Sequence, residues 1–277
     1  MIKNEFNIFN LLSNKNNSID NNKLDIIKRF YNNVKNIDID TCNKNTKYCG
    51  KEGHWLEKKM GINPNSKNEP DIFGYEMKKE SNKTTLGDYS ASEYAFSKKR
   101  TNINNFNNWD TNIKISRKDF LTYFGSPNQK KNNRYSWSGK CVPTYNKWND
   151  FGQILSIQDN NDIVILYSFD EDKRNFKNDF PQFLKKNNIM ISLWKEEKMK
   201  NHINKKFNNK GFFICKKIDN KYQKISFGKP FDFNYFIDCI KNKLIIFDSG
   251  MYDGNNRNYS QFRGSNFWND LIVEEYL

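Results

Sequence analysis

Two carboxylates and a lysine lie within residues 71–78, spaced as Pro-Asp, four further residues, and then Glu-x-Lys. These residues are Asp71, Glu76 and Lys78. If the second half of the stretch is a β-strand, Glu76 and Lys78 leave on one face while Met77 packs on the other. Hydrolysis of a phosphodiester by a divalent metal requires anionic oxygen ligands for the ion and a cation near the attacked phosphate. The spacing therefore predicts a metal-dependent phosphodiesterase centre.

A third carboxylate precedes this stretch on a predicted helix from about His54 to Met60, which Gly61 would end. Leu56 and Met60 are four residues apart and would face the core, with Glu57 beside them. A carboxylate drawn toward an apolar face needs a partner, and a metal ion supplies one. The alternative for the whole group is a solvated strand with Glu-Lys pairs on its exposed side.

The elements that must position these residues follow from hydrophobic periodicity. Helical spacing predicts helices near 6–12, 24–31, 117–124 and 194–207. Short apolar or β-rich runs predict strands near 76–79, 112–115, 162–169, 189–194, 212–215 and 244–247. We therefore expect a mixed α+β fold in which helices flank a mixed sheet of five or more strands.

Composition narrows the class of partner. The chain of 277 residues carries a net charge of +14 and has a pI of about 9.3, which favours a polyanionic partner such as nucleic acid. No apolar run approaches the roughly 18 residues of a membrane-spanning helix, and the first residues lack the pattern of a signal peptide. We therefore expect a cytoplasmic protein without a membrane partner.

Five cysteines, an odd number and widely scattered, are expected to be reduced thiols. Cys42, Cys49 and His54 could suggest zinc, but three candidate ligands without a Cys-x2-Cys pair are weak evidence for such a site. Cys215 and Cys239 stand among apolar residues and are expected to be buried packing thiols.

Several basic residues are candidates for DNA contact. Lys130, Lys131 and Arg134 lie in a basic loop with interleaved aromatics, which favours a phosphate-facing or simply solvated segment. Arg257 and Arg263 lie in an aromatic, glycine-bearing segment and could bond guanine bidentately, clamp phosphates or form surface salt bridges. The lysines from 195 to 206 are expected to form a solvated helix face.

The block from Gly53 to Ile62, followed by Pro70 to Lys78, resembles MvaI- and BcnI-type restriction endonucleases in the MutH-like branch of the PD-(D/E)XK nuclease superfamily. The end of the chain, Phe247 to Met251 with Arg257 and Arg263, is similar to the strand and arginine-bearing loop with which these enzymes reach DNA bases. The resemblance implies a restriction-endonuclease-like core with two lobes around a DNA cleft. Residues 1–277 would be a single nuclease chain, with catalytic motifs in 50–80 and recognition elements in 125–145 and 249–266.

The same resemblance implies catalytic roles for Glu57, Asp71, Glu76 and Lys78. Asp71, Glu76 and the backbone carbonyl of Met77 would hold Mg²⁺, with Glu57 reaching a second ion, and Lys78 would orient or deprotonate the attacking water or stabilise the developing charge.

The function so implied is that of a type II restriction endonuclease acting on double-stranded DNA. It would work as a monomer without an obligate protein partner, nicking each strand in turn at a short, near-palindromic site of the CC-N-GG kind. The alternatives are a MutH-like nicking enzyme of mismatch repair and a non-catalytic DNA-binding protein on a nuclease scaffold.

Overall fold

Residues 20–40, 50–63, 68–97, 115–264 and 266–277 are described by a computed structural model. The α-helices of this part are α1 (Asn21–Asn33), α2 (Lys51–Lys59), α3 (Arg117–Phe124), α4 (Glu196–Phe207) and α5 (Phe233–Lys241). Side-chain caps fix the first turn of some of these helices. At the start of α3, for example, Ser116 and Asp119 form a capping box. Within the described ranges, no helix is both long and apolar enough to cross a membrane.

The strands of the described residues divide among four sheets. They are β1 (Glu76–Lys79), β2 (Thr84–Asp88), β3 (Glu93–Tyr94), β4 (Ser126–Asn128), β5 (Arg134–Trp137), β6 (Phe151–Ile157), β7 (Ile163–Asp172), β8 (Ile189–Trp194), β9 (Phe212–Ile218), β10 (Lys221–Gly228), β11 (Ile245–Asp248), β12 (Met251–Tyr252), β13 (Gln261–Gly264) and β14 (Ile272–Tyr276). The sheet orders are β1-β9-β10-β14, β3-β8-β7-β6, β11-β13-β2 and β12-β5-β4. Among the described residues no sheet has more than four strands, so the expected sheet of about five or more strands is not found in this part of the chain, where the strands divide among separate sheets.

The sheet that begins with β1 is mixed, as predicted. β1 pairs in parallel with β9, Glu76 opposite Phe212, whereas β9 with β10 and β10 with β14 are antiparallel. β1 stands at the end of this sheet, so one of its edges has no strand partner among the described residues.

Helices cover both faces of the β1 sheet because the side chains of its strands alternate. On one face Met77 and Phe213 join a buried cluster with residues of α1 and α2, including Phe30 and Leu56. On the other face Phe212 belongs to the larger core cluster that also contains residues of α4. The strand that carries Glu76 and Lys78 is therefore sandwiched between α1 and α2 on one side and α4 on the other.

Most predicted elements are confirmed, with ends shifted by a few residues. The left-handed Gly61, with φ of +72°, ends α2 as expected. Ile115 lies just before Ser116, the N-cap residue of α3, and is not in a strand, so the predicted strand at 112–115 is wrong at that residue. Its other residues, 112–114, and the predicted helix near 6–12 lie outside the described part of the chain.

Candidate active site

A tight turn folds Asp71 back onto the strand that carries Glu76. Ile72 and Tyr75 exchange two backbone hydrogen bonds of 3.1 and 2.8 Å. The two residues between them, Phe73 and Gly74, both have positive φ, the conformation that suits a two-residue hairpin. Phe73 adopts it although bulky side chains rarely do.

Backbone geometry places Asp71 at the open edge of β1. The Glu76 amide donates toward β9, to the carbonyl of Gly211 at 3.0 Å. The next amide, that of Met77, therefore points away from β9, and it donates to Asp71 Oδ2 at 2.8 Å. Because the amide and carbonyl of one strand residue leave on the same side, the Met77 carbonyl also lies on this edge.

Glu76 is the centre of the charged group on the face of β1 opposite Met77. Its Oε1 accepts from Lys78 Nζ at 2.6 Å and from Lys206 Nζ at 3.0 Å. Its other oxygen, Oε2, is buried without a hydrogen-bond partner. Lys78 also donates to the Leu86 carbonyl at 3.4 Å, which ties β1 to β2. The sequence prediction that Glu76 and Lys78 share a face is confirmed.

Lys206 is a functional candidate that the sequence analysis missed. The expectation that the lysines from 195 to 206 form a solvated face is wrong at this residue, whose side chain is only 12 % exposed. α4 buries Met199 and Ile203, and Lys206 follows them by seven and three residues, which is the spacing of a shared helix face. That spacing was the signal that could have identified it.

Burial and like charges nearby shift the pKa values of Asp71 and Lys206. Burial first, and the neighbouring Glu76 carboxylate second, raise the pKa of Asp71 to about 7. Burial first, and Lys78 second, lower the pKa of Lys206. Two carboxylates and two lysines thus share a poorly hydrated space, in which a further cation would stabilise the ionised form of Asp71.

The donor set fits a hard divalent cation. Glu76 Oε2 is a buried oxygen without a partner, while Asp71 and the Met77 carbonyl lie on the same stretch of strand edge. Carboxylate and carbonyl oxygens are the ligands that Mg²⁺ and Ca²⁺ prefer. We therefore regard Asp71, Glu76 and Met77 as the residues able to hold such an ion.

Glu57 lies apart from this pair. It is on α2, on the other side of the β1 sheet from α4, with a side chain 33 % exposed and 3.5 Å from His54 Nδ1. Within the described ranges, no group of three or more His, Cys, Asp or Glu side chains is arranged to hold a metal ion. Glu57, Asp71 and Glu76 therefore do not form a three-carboxylate cluster in this conformation.

The two predicted recognition segments come together in one sheet. β5, from the first segment, pairs with β12, from the second, with Ser136 opposite Tyr252. The Arg134 guanidinium lies over the Tyr252 ring at 3.6 Å, so Arg134 has a packing role at this junction. Lys130 and Lys131 lie on an adjoining 3-10 turn and are exposed.

The two arginines of the C-terminal segment differ in their surroundings. Arg257 is 63 % exposed and pairs with Asp88 Oδ2 at 2.9 Å, and its guanidinium lies 4.6 Å from the Tyr259 ring centroid. Arg263 lies in β13, where its Nε is 3.2 Å from Asp248 Oδ2 and it also bonds Gln261. Arg257 is thus the more accessible of the two for a DNA contact.

Arg117, at the start of α3, anchors the segment that carries Arg257. It donates to the carbonyl of Tyr252 at 3.1 Å, to Asn258 Oδ1 at 2.9 Å and to the Arg257 carbonyl at 3.1 Å. Three directed bonds from one guanidinium fix both ends of residues 252–258. In the sequence Arg117 stands out only as the start of a predicted helix, because its bonding partners lie far along the chain.

The cysteines give no support to a zinc site. Cys42 and Cys49 lie outside the described residues, and His54 lies beside Glu57 on α2. Cys215 and Cys239 are free and buried, which confirms the prediction of packing thiols, and Cys141 is free and buried as well.

Comparisons with known proteins agree over nearly the whole chain. A family model described as the LlaMI restriction endonuclease matches residues 34–276. The Type II restriction enzyme ScrFI of Lactococcus lactis subsp. cremoris is 40% identical over 268 residues, which cover 91% of this chain and 98% of that enzyme.

The fold is also similar to that of a solved structure, the restriction endonuclease MvaI in complex with its cognate DNA substrate. The match has a TM-score of 0.52 at 13% sequence identity and covers 83% of this chain and 88% of the other. At this identity the likeness concerns the fold alone, and it agrees with the predicted restriction-endonuclease-like core.

Proposed function

The chain belongs to the LlaMI family of restriction endonucleases, and we propose that it uses Mg²⁺ at Asp71 and Glu76 to hydrolyse both strands of DNA at a specific sequence. The observation that carries this proposal is the pair of carboxylates at the edge of β1, one with a buried oxygen that has no partner. Two lysines flank the same pair. This arrangement would suit a divalent cation held by the two carboxylates beside a DNA phosphate.

In this proposal Asp71, Glu76 and the Met77 carbonyl hold one Mg²⁺. When bound, the ion supplies Lewis-acid activation of a water and neutralises charge in the phosphoryl transition state. The Met77 amide holds Asp71 in place through its hydrogen bond to Oδ2. The tight turn at Phe73 folds Asp71 back toward the strand that carries Glu76.

Lys78 acts as the cation nearest the attacked phosphate. Its ammonium already donates to Glu76 and to the Leu86 carbonyl, so its position is fixed from two sides. A fixed donor of this kind stabilises charge that develops on a phosphate oxygen without having to reorganise during the reaction. It can also orient the water that attacks phosphorus.

Glu57 is proposed as an outer residue that reaches a second ion, directly or through water. Its partial exposure leaves it free to do so when DNA is bound. The proposed roles of Asp71 and Glu76 require only one ion. A second ion is required only for the proposed role of Glu57.

DNA contact is divided among exposed basic residues. Arg257 reads a base edge, which matches its exposure and its placement by the Arg117 anchor. Arg263 contributes once it leaves Asp248, and Lys130 and Lys131 contact phosphates. Arg134 supports this surface through its contact with Tyr252.

The enzyme is proposed to act in the cytoplasm as a monomer without a protein partner, nicking the two strands in turn. The recognition site is proposed to be short and near-palindromic, of the CC-N-GG kind. A single active site per molecule predicts a nicked plasmid intermediate at limiting enzyme, and its complete absence would argue for a dimer.

Digestion of a sequenced bacteriophage genome with Mg²⁺, followed by sequencing of the fragment ends, tests the proposal. We expect discrete fragments whose ends share one sequence and which disappear when the metal is chelated. Double-strand cleavage by the purified protein alone would exclude a nicking enzyme that depends on a partner. Binding of DNA without any cleavage in Mg²⁺ would favour the non-catalytic alternative.

A further inference from the structure

Two lysines, from separate elements, bond the same oxygen of Glu76. Lys78 comes from β1 itself and Lys206 from α4, with Nζ distances of 2.6 and 3.0 Å to Oε1. The second carboxylate oxygen has no partner. Lys78 already pairs with Glu76 at the shorter distance, yet Lys206 reaches the same oxygen from a different element and leaves Oε2 open.

The position of α4 does not depend on Lys206. Met199, Ile203 and Phe207 are fully or almost fully buried and fix the helix in the large core cluster. Lys206 therefore carries its ammonium on a helix that other residues hold in place. Its neighbour Lys205 faces outward and pairs with Glu69 instead, at 2.7 Å.

We propose that Lys206 is a positioning residue that serves as the internal counter-ion of Glu76 and competes with the divalent ion for this carboxylate. This inference rests on the proposed function, since it concerns the same metal site. In the metal-free protein the Lys206 ammonium compensates Glu76, and an arriving ion must displace it or bind against its charge.

The displaced ammonium gains a new partner when DNA is present. A phosphate beside the carboxylates attracts Lys206 away from Glu76 and removes the competitor, so DNA and metal strengthen each other's binding. The free protein should accordingly bind metal weakly. This arrangement would keep the active site poor in metal until DNA is bound.

Calorimetric titration of the free protein with Mg²⁺ tests this idea without any DNA cleavage. Lys206→Met keeps much of the side-chain length and removes the charge, so we expect Mg²⁺ to bind about tenfold more tightly than in the wild type. Lys206→Arg keeps the charge and should bind Mg²⁺ about as weakly as the wild type.

Lys200→Met is the matched control. Lys200 lies on the same helix, is 52 % exposed and pairs with Glu196 at 3.3 Å, so its loss changes net charge equally but leaves Glu76 untouched. The proposal is overturned if Lys206→Met binds Mg²⁺ no more tightly than the wild type, or if Lys200→Met tightens binding as much.

Folding of the variants is read from thermal unfolding with and without Mg²⁺. A Lys206→Met protein that folds only when Mg²⁺ is added supports the proposal, because the ion then replaces the lost ammonium. If Lys206→Met and Lys206→Gln both stay unfolded in Mg²⁺, Lys206 is a structural counter-ion and the proposal is wrong.

Failure of this inference is distinguishable from failure of the proposed function. If the wild type cleaves DNA and Lys206→Met binds Mg²⁺ with unchanged affinity, only the proposed role of Lys206 is refuted. If neither protein cleaves DNA or binds Mg²⁺, both the proposed function and the role of Lys206 are refuted.

Discussion

Residues 71–79, which comprise the tight turn and β1, and the segment that carries Arg257 hold their charged side chains in opposite ways. At β1, Glu76 is buried, and Lys78 and Lys206 are bound to it from two elements. In the Arg257 segment the guanidinium is exposed, and it is the backbone that is anchored, through Arg117. The first region holds its charged groups through direct side-chain contacts, whereas the second anchors a loop and leaves the Arg257 side chain largely exposed.

This difference shows how DNA cleavage and sequence recognition can be assigned to separate regions of one chain. A buried group of opposite charges is suited to stabilise a transition state, because its dipoles are already oriented. An exposed arginine on an anchored loop is suited to test DNA sequence, because its present partner, Asp88, can be exchanged for a base or phosphate. Each substitution below should therefore affect one property and spare the other.

The largest effect is expected for Asp71→Asn. Loss of a metal-binding carboxylate should reduce the cleavage rate about a thousandfold or more, since the ion supplies several kcal/mol of transition-state stabilisation. Affinity for DNA, measured by filter binding, should be unchanged or slightly higher because a negative charge is gone. Asp238→Asn, at an exposed position of α5, is the control and should cleave normally. An Asp71→Asn enzyme that cleaves at the wild-type rate would refute the site assignment.

Arg257 substitutions should affect reading by about 10- to 100-fold, the equivalent of roughly 1–3 kcal/mol for a bidentate base contact. Arg257→Ala should lose this discrimination between cognate and altered sites in competitive cleavage. Arg257→Lys keeps the charge but not the planar fork, so it should also lose discrimination if Arg257 reads a base. Full rescue by lysine would instead mark Arg257 as a phosphate clamp.

The pH dependence of stability should distinguish the buried region from the exposed one. Because the pKa of Asp71 in the folded protein is raised to about 7, its contribution to stability is present below the unfolded value of about 4 and is lost as pH rises through about 7. Over this window the free energy of unfolding of the metal-free wild type should fall by about 4 kcal/mol relative to Asp71→Asn, as measured by thermal unfolding, since each pKa unit between the folded and unfolded values corresponds to about 1.4 kcal/mol. Addition of Mg²⁺ should remove the difference in slope, and an unchanged slope in Asp71→Asn would contradict the assigned cause.

The smallest effect is expected for the double substitution Lys130→Ala and Lys131→Ala. Loss of two phosphate contacts should weaken DNA binding several-fold for all sequences alike and reduce the salt slope of binding by about 2. Discrimination between sites should not change. If the loss of binding depended on the DNA sequence, these exposed lysines would contact bases and not only phosphates.

The residues proposed to cleave DNA could be predicted from the sequence more completely than those proposed to contact bases, for a physical reason. Asp71, Glu76 and Lys78 are neighbours along the chain, so strand alternation and one turn suffice to bring them together. Lys206 reaches Glu76 only because α4 packs across the face of β1. That contact depends on tertiary packing, which local periodicity does not specify.

The same limit applies to the arrangement of strands and of the reading loop. Strand identity could be predicted from β-rich runs, but the partner of β1 is β9, more than a hundred residues away, and no local pattern selects it. Arg117 is likewise bound to residues near 255 through contacts that span the chain. Glu57 shows the converse case, since its place on the helix that precedes this stretch does not bring it to the carboxylate pair in this conformation.

The separation of cutting from reading is tested most directly by single-turnover cleavage of cognate DNA at saturating enzyme, comparing Lys78→Met with Arg257→Ala. The account predicts that Lys78→Met stays slow however much enzyme is added, because the fixed cation beside Glu76 is missing, while Arg257→Ala recovers close to the wild-type rate once the DNA is fully bound. The reverse result, with Lys78→Met restored at saturation and Arg257→Ala still slow, would contradict it.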